Sequence, residues 1–341
     1  MLNLLKRLCL EFGPSGYEGA VREIIIKELE PYSDKFTAYT DALGSYVVHI
    51  EAKDKPKLMV CAHTDEVGFM ITEICDDGTL RFGNVGGISS VVLPTRRIVL
   101  ENGIKGAIMS KPIHLQDSKE RTSITPARDL YIDIGALNKE DAEKMVSLGD
   151  YATFDSEYVE FGNGFIKSKA LDDRLGCAIM VQVIKDIFEK KLSINYDLYF
   201  AFTTREEVFS AAANATEQIK PDYGFIIEST AVGDIANAPK KKLVASLGQG
   251  GAFSFADLMT IYDKGFTDKL MELCKKHDIP YQVKEYVSGG NDASKLQTGA
   301  RGAKVAVMSA PSRYIHSASS VVSKADLESI YKTLYHLICE E

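Results

Sequence analysis

The sequence predicts an α/β protein in which helices cover a mixed sheet and a small β-rich unit is inserted into the chain. Near both ends, short apolar runs typical of buried strands alternate with segments whose apolar residues recur at helical spacing. Between them, short β-like pieces alternate with glycine-rich turn signals. A length of 341 residues is enough for about two domains. We therefore expect an α/β domain from residues 1–67 and 162–341, with an inserted β-rich domain at 68–161.

The N-terminal part predicts a helix over residues 17–29, which Ser15 would cap. A strand over residues 40–50, with a turn at Gly44, and a buried strand over 57–63 follow. Helices are predicted over residues 138–148, 171–190, 267–277 and 324–339, and further strands over 197–204, 222–228 and 301–308.

Composition excludes several classes of protein. The chain is 45% hydrophobic and 26% charged, as in an ordinary globular protein. Its apolar runs are shorter than the roughly 18 residues that span a bilayer, and its start lacks the features of a signal peptide, so we expect a cytoplasmic protein. The net charge of −8, with three lysines at 240–242 as the longest basic run, disfavours nucleic acid and anionic membranes as partners.

Histidines and carboxylates follow the predicted buried strands. The first strand ends at His63 and is followed by Asp65, the second is followed by Glu206 and Glu207, and the third ends at Glu228. His316 follows the fourth strand, and Asp172 lies where a loop enters a helix. Because ligands of open α/β sheets bind at the carboxyl ends of strands, we expect these side chains to lie close together.

This set of residue types is suited to two metal ions. Two histidines and three carboxylates can give each ion one imidazole and one private carboxylate, with one Asp shared. Such a pair of ions lowers the pKa of a bridging water, and a carboxylate not bound to metal must then accept the proton. The adjacent Glu206 and Glu207 could supply one ligand and this general base. Taken singly, each candidate residue has a simpler structural interpretation. A pair of adjacent Glu residues is usually a solvated surface, and Asp172 could merely begin a helix.

Six segments of the chain form a distinctive set: PSGYE (14–18), AHTDEVGFM (62–70), SKALDDRLGCA (168–178), REEV (205–208), SGGNDA (288–293) and APSRYIHS (310–317). Together they resemble the tetrahedral aminopeptidases, a family of glutamyl-aminopeptidase-like di-metal exopeptidases of which some members carry an endoglucanase label. The similarity covers nearly the whole chain, in order and at suitable spacing.

The resemblance implies a role for each candidate residue. One metal ion would be held by His63, Asp172 and Glu228, and the other by Asp172, Glu207 and His316, with Asp172 bridging. Glu206 would act as the general base that accepts a proton from the water between the metals, so that a hydroxide attacks the peptide bond, and Asp65 would orient His63.

The resemblance also implies a small β-barrel dimerisation insert and a homo-oligomer, either a dimer or a hollow tetrahedral dodecamer of dimers. Short peptides would be the substrates, and two divalent ions per subunit (Zn²⁺, Co²⁺ or Mn²⁺) the cofactors.

Two single positions and one loop depart from the family pattern. Glu228 stands where Asp is usual, and Asn291 stands where Thr is usual. The loop at 208–213 reads Val-Phe-Ser-Ala-Ala-Ala instead of Val-Gly-Leu-Arg-Gly-Ala. No departure removes a metal ligand by residue type.

The sequence leaves other functions open. An N-acyl amino acid deacylase or a carboxypeptidase could use the same metals, with Arg205 or Arg313 binding a substrate carboxylate. A catalytically inactive oligomeric scaffold is a further alternative. A glycosidase fits less well because it needs two carboxylates around a sugar bond and no histidine-rich metal site. The four remaining histidines are interpreted as structural or surface residues: His49, His114, His277 and His336.

Overall fold

The computed structural model describes residues 1–239, 243–285 and 287–340, so the lysine run at 240–242 lies outside the described residues. The helices are α1 (Leu2–Leu10), α2 (Gly19–Leu29), α3 (Lys139–Ala142), α4 (Leu171–Glu189), α5 (Ala212–Ile219), α6 (Lys264–Lys276), α7 (Ala293–Thr298) and α8 (Lys324–Cys339). The strands of the first half are β1 (Thr37–Thr40), β2 (Tyr46–Ile50), β3 (Lys57–His63), β4 (Gly68–Ile74), β5 (Leu80–Val85), β6 (Arg97–Leu100), β7 (Lys105–Met109), β8 (Tyr131–Asp133) and β9 (Tyr151–Phe154). Those of the second half are β10 (Val159–Phe161), β11 (Phe165–Ser168), β12 (Asp197–Thr203), β13 (Tyr223–Ala231), β14 (Gly251–Phe253), β15 (Tyr281–Val283), β16 (Lys304–Ser312) and β17 (Ser320–Ser323).

An eight-stranded mixed sheet forms the centre of the molecule, with the strand order β1-β2-β12-β3-β13-β16-β14-β15. The four middle strands, β12, β3, β13 and β16, are parallel to one another, so their carboxyl ends meet at one edge. Strands β2 and β14 run antiparallel to their neighbours in this group. The predicted α/β class with a mixed sheet is confirmed.

Helices bury both faces of this sheet because successive side chains of each strand point to opposite faces. In β3, Leu58, Val60 and Ala62 pack into the large core that contains α1, α2, α4, α6 and α8. Met59 and Cys61 point the other way, into a smaller core with α5 and α7. This burial on both faces explains why β3 reads as a continuous apolar run.

The predicted β-rich insert contains a closed barrel with the strand order β4-β5-β8-β7-β6-β9. The barrel has its own core, in which Phe69 contacts Phe82 and Phe154 edge to face at 5.2 Å between ring centroids. Strand β10 lies outside the barrel and pairs with β11, which in turn pairs with β17.

Several local predictions were wrong. Ser15 caps no helix, because α2 begins at Gly19 with Glu18 as its N-cap. The predicted strand at 40–50 is the hairpin of β1 and β2, and Glu228 lies inside β13 and not at its end. The predicted helix at 138–148 is reduced to the four-residue α3, and helices α1, α5 and α7 were not predicted.

None of the helices in the described part of the chain combines the length and the hydropathy needed to cross a bilayer. Four of the six cysteines are buried free thiols, namely Cys9, Cys61, Cys177 and Cys274.

Candidate active site

The five predicted metal ligands come together at the carboxyl edge of the central sheet. They form two groups in which ligand atoms lie within 4.8 Å of one another: His63, Asp172 and Glu228 in one, and Asp172, Glu207 and His316 in the other. The strands β3, β13 and the segments after β12 and β16 supply four of these side chains. The fifth, Asp172, comes from the start of α4, where its peptide bond to Asp173 is cis.

Asp172 connects the two groups. Its Oδ1 lies 3.4 Å from Nε2 of His63, and its Oδ2 lies 3.2 Å from Nε2 of His316. One carboxylate thus presents an oxygen to each group, which is the arrangement that a shared ligand of two metal ions requires. Glu207 completes its group with Oε2 at 3.1 Å from His316 Nε2, and Glu228 Oε1 lies 3.9 Å from His63 Nε2.

Asp65 is buried beside His63, with Oδ1 at 3.3 Å from the ring atom Nδ1. The same carboxylate accepts hydrogen bonds from the hydroxyl of Ser15 at 2.6 Å and from the backbone N–H groups of Glu206 and Glu207, both at 3.1 Å. Asp65 therefore lies on the Nδ1 side of His63, opposite to the Nε2 atom that faces the ligand group, and it binds the backbone that carries the Glu pair.

His316 is oriented by the barrel. Its Nδ1 lies 2.7 Å from the carbonyl oxygen of Gly87, in the segment that follows β5. Because a carbonyl oxygen only accepts, Nδ1 carries the proton and Nε2 is left to face Asp172 and Glu207. The insert thus contributes directly to the geometry of the site.

The electrostatics of the site favour bound cations. Burial raises the pKa of Glu228 well above its ordinary value, and the negative charge of Asp172 raises it further. Burial alone would lower the pKa of His316, but hydrogen bonds to Asp172 and Glu207 raise it to about 11. Both shifts favour the protonated side chains, and metal ions bound by these ligands would displace the protons.

The residues present fit a pair of divalent metal ions. Oδ1 of Asp172 is buried without a hydrogen-bond partner among the described residues. Imidazole and carboxylate donors together suit zinc and other divalent transition metals. Glu228 is one methylene longer than the usual Asp, yet its oxygen still reaches the group of His63 and Asp172.

A cavity of about 470 Å³ lies against both groups and is lined in part by Asp172, Glu206, Glu207, Glu228 and His316. The Glu206 carboxylate forms no hydrogen bond or ion pair with any other described residue. Burial raises the pKa of Glu206 well above its ordinary value, and the negative charges of Asp292 and Glu207 add to this effect.

Some supporting residues were not predicted. Asp292 is fully buried and accepts hydrogen bonds from Thr203 at 2.6 Å and Ser210 at 2.5 Å, next to the site. Ser15 supports Asp65 as described above, and Lys284 lines the cavity. Asp292 and Ser15 lie in segments of the family resemblance, which is the signal that could have identified them, whereas Lys284 lies in none.

The other departures from the family pattern have separate structural consequences. Val208 and Phe209 line a different cavity, of about 430 Å³, between the segment that follows β12 and the barrel. Asn291 donates hydrogen bonds to the hydroxyl of Tyr262 at 2.9 Å and to Asp257 at 3.4 Å. Among these positions, only Asn291 lines the metal-side cavity.

Comparison with known proteins agrees with this geometry. The family model described as M42 glutamyl aminopeptidase matches residues 44–333. This chain belongs to the M42 glutamyl aminopeptidase family. It is therefore a hydrolase of a metallopeptidase family, and the resemblance stated from sequence is confirmed.

Individual relatives support the assignment over the full length of the chain. A relative from Acetivibrio thermocellus, whose name assigns it provisionally as an aminopeptidase, is 36% identical over 340 residues, which is 99% of this chain and 98% of that one. The TET aminopeptidase of a marine-sediment Thaumarchaeota archaeon superposes with a TM-score of 0.96 at 31% identity, covering 99% of this chain and 96% of that one. The Pyrococcus horikoshii TET1 peptidase, described as assembling into a tetrahedron or a large octahedral shell, has a TM-score of 0.87 at 33% identity, covering 100% of this chain and 99% of that one.

Proposed function

We propose that this M42 family member removes N-terminal residues from short peptides and that it uses two metal ions with Glu206 as the general base. The observation that carries the proposal is the position of Asp172, which presents one oxygen to each histidine beside a cavity. Glu206 lines the same cavity and keeps its carboxylate outside both ligand groups.

The assignment of ligands follows the two groups. His63, Asp172 and Glu228 would hold one ion, and Asp172, Glu207 and His316 the other. Asp65 would keep His63 in the orientation that ligation needs. Zn²⁺, Co²⁺ and Mn²⁺ all suit these donors.

Glu206 performs the proton transfers of this proposal. Two divalent ions, when bound, lower the pKa of water and polarise the carbonyl of the scissile peptide bond. The Glu206 carboxylate accepts a proton from the attacking water and then donates it to the nitrogen of the leaving amine. Its buried position, which raises its pKa, suits a group that must both take and release a proton.

Neither of the two arginines predicted for the rival functions lines the metal-side cavity. A carboxypeptidase or an N-acyl amino acid deacylase would need a cation for the substrate carboxylate, and Arg205 and Arg313 were the candidates. Arg313 pairs with Asp234, with Nε at 2.8 Å from Oδ1. Arg205 lines the second cavity beside Phe209 and not the metal-side cavity. An inactive scaffold would have no use for Glu206 outside the ligand groups.

We also propose that the barrel region, residues 68–161, mediates dimerisation, and that the protein is either a dimer or a tetrahedral dodecamer built from dimers. The shell assembly described for the similar Pyrococcus horikoshii TET1 peptidase supports this proposal. We also propose that the protein is located in the cytoplasm.

Hydrolysis of matched peptides tests the function. Free-amino and N-acetylated short peptides are incubated with chelator-treated protein and then with zinc, cobalt or manganese restored. We expect metal-dependent release of the N-terminal residue from the free-amino peptides alone. Cleavage of blocked peptides would favour the deacylase, release from the carboxyl end the carboxypeptidase, and metal binding without any cleavage the scaffold.

The variant Glu206→Gln tests the general base. We expect kcat to fall by about 100-fold or more, because general bases contribute about 10²–10⁴ to rates, while the metal content measured by mass spectrometry stays unchanged. Glu143→Gln, at an exposed position in the barrel region, is the matched control and should keep full activity. Retained turnover in Glu206→Gln would remove this role from Glu206.

A further inference from the structure

A further group of metal-ligating side chains lies at the opposite edge of the central sheet from the active site. His277 directly follows α6, while His336 lies in the last turn of α8 and Glu340 directly follows it. The backbone N–H of Asn195, two residues before β12, donates to the carbonyl oxygen of Ile338 at 3.0 Å. Helix α8 therefore ends beside the amino end of β12, whereas the Glu pair of the active site follows its carboxyl end. None of the three ligating side chains lines the metal-side cavity.

The three side chains converge on one point. Nε2 of His277 lies 2.6 Å from Oε1 of Glu340, and Nδ1 of His336 lies 2.7 Å from the same oxygen. The two imidazole rings are stacked, with 3.7 Å between their centroids and 16° between their planes. Ligand atoms of all three residues lie within 4.8 Å of one another, as they do in each group of the active site.

The ends of two helices hold this arrangement. The backbone N–H of His277 donates to the carbonyl oxygen of Leu273 at 3.2 Å, so its backbone continues the last turn of α6. The N–H of Glu340 donates in the same way to the carbonyl oxygen of His336 at 3.0 Å. Because these two residues are four positions apart, their side chains share one face of the helix. The C-terminal end of a helix carries a partial negative charge, so both helix ends favour a cation between them.

Ion pairing alone leaves part of this group unsatisfied. Nε2 of His277 is buried and has no hydrogen-bond partner among the described residues, because the nearby Oε1 of Glu340 lies outside the direction of a hydrogen bond from the ring. Ligands of one metal ion are placed in this way, each to the side of the line from its neighbour to the ion. With about 2.0–2.2 Å from zinc to each ligand atom, the ligand atoms would lie about 3.3 Å apart. Glu340 reaches that spacing by moving its carboxylate outward by less than about 1 Å.

The carboxylate of Glu340 is charged and keeps one oxygen for an ion. Nζ of Lys276 lies 2.6 Å from the other oxygen, Oε2. The hydrogen bond from Lys276, together with the contacts of His277 and His336, lowers the pKa of Glu340 to about 2. Lys276 therefore holds the carboxylate so that Oε1 faces the two rings, as the outer hydrogen-bond partners of metal ligands commonly do.

We propose that His277, His336 and Glu340 bind a divalent transition-metal ion in addition to those of the active site, and that Zn²⁺ is the ion that suits them best. Two imidazoles and one carboxylate are a donor set for zinc, whereas Mg²⁺ and Ca²⁺ prefer oxygen ligands alone. The side chains are 23–24% exposed, so an ion reaches them from solvent. The bound ion fastens the end of α8 to the end of α6 and stabilises the folded chain. This site takes no part in the proposed peptidase reaction.

Counting bound ions tests the site. The whole chain is treated with a chelator and equilibrated with zinc buffered at about 10 µM, and its zinc content is measured by mass spectrometry. We expect His277→Gln, His336→Gln and Glu340→Gln each to bind one ion per subunit fewer than wild type. Lys276→Met removes the ion pair but no ligand and should keep the ion. His114→Gln, at an exposed position of the barrel region, is the matched histidine control and should also keep it.

Urea unfolding measures what the ion does for the fold. An ion that binds only the folded chain raises the ratio of folded to unfolded protein about 100-fold when its free concentration is about 100 times its Kd. At that concentration, zinc should therefore raise this ratio about 100-fold more in wild type and Lys276→Met than in His277→Gln. The active site is the same in all three proteins, so the effect of its own metal ions cancels in the comparison.

The decision depends on differences between variants and holds whatever the active site binds. Equal zinc content in wild type and in all three ligand variants would overturn the inference. An equal effect of zinc on the unfolding of wild type and His277→Gln would overturn the role of the ion in joining the two helices. Should a histidine variant not fold, Glu340→Gln, whose side chain lies beyond α8, decides in its place.

Discussion

Asp65→Asn is the substitution that most directly tests how the site is held together. The carboxylate of Asp65 accepts three hydrogen bonds and faces His63: Oδ1 receives the N–H of Glu206 and lies beside His63, and Oδ2 receives the hydroxyl of Ser15 and the N–H of Glu207. In Asn, one of the two oxygens becomes an NH₂ group. In either orientation of the Asn side chain, this NH₂ group faces a backbone N–H, either that of Glu206 or that of Glu207. Because both groups are donors and the backbone is fixed, that N–H loses its acceptor.

The magnitude follows from that arrangement. A buried donor left without a partner costs about 1–3 kcal/mol, and a hydrogen bond to a charged group contributes about 1.5–3 kcal/mol. Burial would raise the pKa of Asp65, but the charge of His63 and the hydrogen bonds it accepts lower it, so the ionised form is stabilised by folding. We expect the free energy of unfolding of the metal-free protein to fall by about 2–4 kcal/mol. Ser15→Ala, which removes a single donor, should cost about 1 kcal/mol.

Urea unfolding of chelator-treated protein, followed by circular dichroism, measures these losses. A competition titration with a fluorescent zinc chelator measures the second consequence, a loss of metal affinity of about 10- to 100-fold, because His63 is no longer held in its ligating orientation. Asp76→Asn, at an exposed turn of the barrel, is the control and should stay within about 0.5 kcal/mol of wild type. The reasoning would be refuted if Asp65→Asn matched this control, or if Ser15→Ala cost more than Asp65→Asn.

Two further predictions concern stability. In Gly176→Ala, the new Cβ would lie 2.7 Å from Cβ of Ala62 on β3, so thermal unfolding should show a loss of about 1–3 kcal/mol despite the better helix propensity. Gly265→Ala, at an exposed helical position with its nearest contact at 3.5 Å, is the control and should be neutral or stabilising; equal effects would contradict the packing argument. Burial raises the pKa of Asp326 from 3.8 to about 6, so its contribution to stability is complete below pH 3.8 and is lost as the pH rises through 6. Between pH 4 and pH 7, the free energy of unfolding of wild type, measured in urea, should therefore fall by up to about 3 kcal/mol relative to that of Asp326→Asn. If the two proteins lose stability in parallel over this range, the pKa of Asp326 is not raised by folding.

The buried strands and the last helix could be predicted because their signal is local. The apolar run of β3 and the helical spacing of α8 are properties of neighbouring residues, and the structure places both elements where the patterns predict them. Helices α5 and α7 were missed because they are short and their apolar positions are few, so packing on the sheet decides their conformation. Ser15 was assigned as a helix cap because its residue type favours caps, but its hydroxyl is used by Asp65.

The sequence by itself determined the α/β class and the residue types of the site, since both follow from patterns within a few positions and from a family resemblance. Only the tertiary structure decided which side chains meet. Gly87 and His316 are separated by 229 positions and meet because the barrel packs beside the segment that follows β16. Lys284 lies in no motif, yet the edge of the sheet places it in the cavity with Glu206 and Glu228. Contacts of this kind depend on how distant elements pack, and no local pattern of residues records them.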